Sequence, residues 1–98
     1  MSPIILLILE LFGPAIKELI AALLEKWLKR GAEGLDLTKY GDERSQMVAV
    51  LDRTERALPR FARGRRLLVR KLRTAVVNGV QPGDEDDVRD LLEIADNE

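Results

Sequence analysis

A chain of 98 residues is long enough for one small domain, which buries about two thirds of the surface its unfolded form exposes. It contains no cysteine and no histidine, which excludes disulfides, thiolate chemistry, and the commonest general base and metal ligand. Charged residues reach 34% yet sum to −1, and aromatics are only 4%, so Leu, Ala, Glu, Lys and Arg set the character of the chain and favour helix.

Ser2 suits an N-cap and Pro3 the first helical position, where a missing N–H costs nothing. Apolar residues then recur in steps of three and four at Ile4, Ile5, Ile8, Leu9, Phe12, Ile16, Leu19, Ile20, Leu23, Leu24, Trp27 and Leu28, a helical period. Ile4 to Leu9 is apolar on every side, so one-sided burial does not satisfy it, and it requires protein or lipid all round. Pro14 cannot donate to the carbonyl of Glu10, and Gly13-Pro14 predicts a kink or short break. Residues 1–30 thus read as a long, kinked, apolar N-terminal helix, amphipathic beyond Pro14, with Lys29 and Arg30 suited to its C-terminus.

Gly31 and Gly34 are expected to end that helix, and residues 31–41 read as a connector pinned by Leu35 and Leu37. The remainder, residues 42–98, reads as a helical region. Asp42 is a candidate N-cap for a helix whose apolar face is Met47, Val48, Val50, Leu51, Thr54 and Leu58. Pro59 forces a bend or a new start. A basic helix over about 60–78 follows, with Phe61, Leu68, Leu72, Ala75 and Val76 on one stripe and Arg63, Arg66, Arg70 and Arg73 roughly opposite. Gly64 weakens this helix, and Asn78-Gly79 stops it. Gln81-Pro82-Gly83 makes a turn, and Asp84 caps a short acidic helix over about 84–96 whose Val88, Leu91, Leu92 and Ala95 share one face. No repeat or alternating strand pattern is present. The expected fold is all-α, a small bundle of three to four helices.

Charge is segregated along the chain: residues 1–42 sum to −1, residues 43–73 to +7 and residues 84–98 to −7. Like-charge blocks of this kind mark interaction surfaces, or else neutralise each other if the acidic tail folds back on the arginines.

The candidate residues are of two kinds. Ile4, Ile5, Leu6, Leu7, Ile8, Leu9, Phe12, Ile16, Leu19, Leu23 and Trp27 form the expected assembly or membrane interface, since burying each Leu or Ile yields roughly 1.5–3 kcal/mol. Arg63, Arg66, Arg70 and Arg73 form a candidate anion or nucleic-acid contact, although no aromatic is interleaved for stacking and no Asn or Gln for base reading. Neither catalytic nor metal-ligating residues are recognisable: the carboxylates of the tail lie on a wet helix end, Asp84-Glu85-Asp86-Asp87 lacks the spacing of a calcium loop, and the glycines form no phosphate loop. No cofactor and no small-molecule substrate are expected.

The reading is therefore a non-catalytic structural or adaptor component of a larger assembly, a particle or virion part among the options, that joins a protein partner or copies of itself through the N-terminal helix. The first alternative is a small membrane-associated protein, and the second a nucleic-acid accessory that binds phosphate. The apolar run from Pro3 to Leu9 is far below the ~20 residues of a spanning helix. Without a basic residue before it, a cleavable signal peptide is not expected, and a cytoplasmic or particle location is favoured over a membrane one.

Overall fold

The computed structural model describes residues 3–10, 14–79 and 85–97, without the side chains of residues 14–20, 23, 85 and 96. The described chain is helical, with no strand: α1 (Pro3–Leu9), α2 (Pro14–Ala32), α3 (Glu43–Ala57), α4 (Arg63–Asn78) and α5 (Glu85–Asp96), plus a single 3₁₀ turn at Leu37–Lys39. The all-α class is as expected, but the helices among the described residues number five. The N-terminal segment accounts for the difference: what was expected as one long kinked helix is described as α1 and α2. Pro14 opens α2, a position at which its missing N–H is harmless. Phe12 and Gly13, the Gln81-Pro82-Gly83 turn and Asp84 lie outside the described residues, as do the side chains of Ile16, Leu19 and Leu23.

Helix α3 is central. It packs against α2 on one side and α4 on the other, α5 lies on α4, and α1 bridges α2 and α3. The shared core consists mainly of Leu24, Leu28, Val50, Leu51, Leu68, Val69, Leu72, Val76, Val88 and Leu92, closed by Ile4, Ile5, Ile8 and Leu9 of α1. The apolar period of each helix points its stripe at this one interior.

Asp42 caps α3, its carboxylate accepting the Ser45 N–H at 2.7 Å. That bond, with help from the Ser45 hydroxyl, holds the Asp42 carboxyl below the usual aspartate range. The connector is tied down where the Gln46 side-chain amide donates to the carbonyls of Leu37 and Tyr40, both at 3.3 Å. Pro59 restricts the residue before it, and Leu58 is extended (φ −76°, ψ 142°), which ends α3. A turn closed by the Ala62 N–H on the Pro59 carbonyl, at 3.0 Å, leads directly into α4. Gly79, at φ 67°, supplies the left-handed residue that closes α4.

Two local expectations are corrected. Gly31 does not end α2, which runs on to Ala32; the left-handed residue after it is Gly34, at φ 72°. Gly31 is buried against α3, where an added Cβ would overlap Thr54 Oγ1 and lie 2.9 Å from both the Cβ and the backbone nitrogen of Thr54. It is a close-approach glycine rather than a terminator. Phe61 does not share the apolar stripe of α4: it lies in the preceding turn with 76% of its surface exposed, and Ala62 is buried instead. The turn that Pro59 imposes takes Phe61 out of helical register.

Candidate docking groove

The arginines of the middle segment have carboxylate partners on α3. Glu55 has a side chain only 8% exposed, and it accepts from Arg70 at 2.8 and 3.0 Å and from Arg73 at 2.8 Å. Arg73 also reaches Asp52 at 3.0 Å, and Asp52 pairs with Arg56 at 3.2 Å one turn along α3. Arg70 and Arg73 are thus engaged by carboxylates of α3 in an α3–α4 ladder. These ties fix the register of the two helices, and a buried carboxylate such as Glu55 requires them.

The four predicted stripe arginines separate. Arg63, Arg66 and Arg70 line a shallow depression of about 280 Å³ with Arg60 and Leu67. Arg66 is half-buried, and its Nε has no hydrogen-bond partner among the described residues. No acidic residue occupies the first turn of α4, so the positive end of the helix and these side chains reinforce one another.

Arg73 belongs instead to a larger groove of about 890 Å³ between α3 and α4. Arg44, Val48, Asp52 and Arg56 line it at one-face spacing on α3, with Ala49 and Arg53 beside them. Val77 joins Arg73 on the α4 side, and Tyr40 of the connector borders the groove. Val77 remains 54% exposed. Arg44 and Arg53 are exposed and enter no ion pair among the described residues. The result is a trough lined by Val48, Ala49 and Val77, with arginines along it and one carboxylate, Asp52, held by two of them. Sequence reading missed Arg44, Arg53 and Arg56: Arg53 and Arg56, three residues apart, share a face of α3, but nothing in the pattern ties Arg44 to them.

The apolar candidates fare differently. Ile4, Ile5, Ile8 and Leu9 are no more than 5% exposed and belong to the chain's own core, so the folded chain does not present them to a partner. The reason is that α1 sits against both α2 and α3, which supplies from within most of the burial its sequence requires. Leu7 is half-buried against the same core, and Leu6, at 41%, faces out. Trp27 is also buried, with the Arg65 guanidinium 5.4 Å from its ring centre in a cation–π contact. Arg65 Nε in turn donates to the Ala95 carbonyl at 3.2 Å, tying α4 to the end of α5.

Among the described residues, no helix is long and apolar enough to cross a membrane, and no three His, Cys, Asp or Glu side chains converge as a metal site would require. Compared with known proteins, the chain matches no family model and has no significant similarity to any curated protein or solved structure.

Proposed function

We propose that the chain is a non-catalytic adaptor, a structural component of a larger protein assembly, that takes up an acidic, partly apolar helix of a protein partner in the α3–α4 groove. The assembly role read from sequence is kept, and the contact surface moves from the N-terminal helix to the arginine-lined trough. The observation that carries this reading is the mixture in one groove of Val48, Ala49 and Val77 with Arg44, Arg53, Arg56 and Arg73. An amphipathic helix laid in a groove uses apolar anchors for affinity and charge for register. A phosphate backbone makes no use of the apolar surface that Val48, Ala49 and Val77 offer, which favours a protein ligand over nucleic acid.

The test is titration of the full chain with a fluorescent amphipathic helical peptide carrying Glu and Leu, against the same peptide with Lys in place of Glu. Binding of the acidic peptide alone, weakened at least tenfold by Arg44→Glu with Arg53→Glu, is the expected result. Equal binding of both peptides, or indifference to the two substitutions, refutes the reading. Duplex DNA is the competitor: displacement of the peptide by DNA, with affinity falling steeply as salt rises, transfers the groove to phosphate binding.

A further inference from the structure

Helix α5 carries the charge opposite to the groove. Its apolar side is committed to the core through Val88, Leu92 and Ala95, whereas Asp86, Asp90, Glu93 and Ile94 are exposed. These four fall at i, i+4, i+7 and i+8, so they lie together on one outward face. Asp86, Asp90 and Glu93 enter no ion pair among the described residues, and Ile94 keeps 54% of its surface exposed beside them. The chain therefore displays the kind of acidic, partly apolar helix that its own groove is suited to receive.

Resting on the groove reading above, we infer that the groove's occupant is the outer face of α5 from a second copy of this chain, so that copies associate head to tail. The spacing is compatible. At 1.5 Å per residue, Asp86 and Glu93 are separated by roughly 10 Å along α5 and Arg44 and Arg53 by roughly 13 Å along α3; the axial mismatch is within the reach of arginine side chains, and although nine residues set the two arginines about half a turn apart on α3, both line the groove. Ile94, next to Glu93, is the apolar anchor for Val48 and Val77. Groove and α5 are different surfaces, so the contact is heterologous, and each added copy leaves one groove and one acidic face open.

Sedimentation of the full chain at ionic strengths of about 0.01 M and 0.5 M tests this, since exposed charge pairs are screened at the higher value. The expected result is an average mass that rises with concentration at low salt and returns to that of the monomer at high salt. Two charge-reversed variants complete the test: Asp86→Lys/Asp90→Lys/Glu93→Lys, and Arg44→Glu/Arg53→Glu. Each alone is expected to associate at least tenfold more weakly, and an equimolar mixture to regain association, because the basic α5 of one fits the acidic groove of the other.

A wild-type chain that stays monomeric at low salt, or a mixture that fails to associate, overturns the inference. If a reversal prevents folding, Asp90→Asn/Glu93→Gln takes its place; a severalfold loss of association supports the contact, and no change overturns it. Binding of the acidic peptide by a chain that remains monomeric removes this inference and leaves the groove reading intact. Failure of both removes both.

Discussion

Gly31→Ala sets two effects of known size against each other. Within a helix alanine is favoured over glycine by up to about 1 kcal/mol, less in the last turn where Gly31 lies, so on propensity alone the substitution stabilises α2. Against this, the new methyl overlaps Thr54 Oγ1 and lies 2.9 Å from the backbone nitrogen of Thr54, an atom that cannot rotate away. Forcing an extra carbon into a packed contact costs about 1–3 kcal/mol, and a backbone neighbour argues for the upper part of that range. The clash should win. The expected net loss is about 1–2 kcal/mol, seen as a fall in melting temperature of roughly 4–15 °C for a domain of this size. Thermal unfolding followed by circular dichroism reads it directly.

The companion variant is Thr54→Ala, which removes the hydroxyl that donates to the Val50 carbonyl at 2.7 Å and leaves the backbone contact in place. Gly31→Ala/Thr54→Ala should be less destabilised than the sum of the single changes by at least about 0.5 kcal/mol, the signature of residues in contact. A melting temperature raised by Gly31→Ala would refute the close approach of α2 and α3 at this point.

Ile8→Ala discriminates between α1 as part of the core and α1 as a detachable interface: Ile8 is fully buried, so a loss of about 2–5 kcal/mol is expected in dilute denaturant titrations, and unchanged stability would return α1 to the interface role. Glu55→Ala should cost about 1–3 kcal/mol, less than a fully buried pair because the Arg70 and Arg73 side chains remain 55% and 29% exposed. Glu55→Met, of similar volume, should recover at least half of the lost melting temperature; equal losses in both variants would show that the ladder's charge matters more than its packing. Asp42 supplies a pH test, because its carboxyl is held below its ordinary value by the Ser45 hydrogen bonds. A depressed carboxyl contributes stability above its unfolded pKa and loses it as pH falls through the folded one, so wild type should lose stability below about pH 4 faster than Asp42→Asn. Parallel acid limbs in urea titrations would contradict that assignment.

Helical period made α2 to α5 legible in the sequence because each has one face to bury. Leu68, Leu72, Ala75 and Val76, read as one stripe, are all buried, and Val88, Leu92 and Ala95 of α5 likewise. Ile4 to Leu9 shows where that logic stops: an apolar run states how much surface must be covered, not which molecule covers it. A seven-residue helix is short enough for neighbouring helices of the same small bundle to enclose. Glycine was misread for a related reason. Gly31 and Gly34 look alike in sequence, yet one permits close packing within a helix and the other provides a positive φ, and only tertiary contact distinguishes them. The groove was half legible. Arg73 was picked out with its α4 neighbours, but the groove depends on how α3 lies beside α4, which no single helix reveals.

That placement also sorts the arginines by what they are available to do. Arg70 and Arg73 are held by Glu55 and Asp52, so part of their charge is already compensated and their main work is to register α4 on α3. Arg44 and Arg53 border the groove without such partners among the described residues, and their charge is open to a ligand. The stripe of four arginines is therefore divided: Arg70 and Arg73 are structural ties and Arg63 and Arg66 line the smaller depression, whereas the proposed docking contacts come largely from α3. Beside Val48 and Val77, an acidic ligand of the proposed groove must also offer apolar surface to gain affinity.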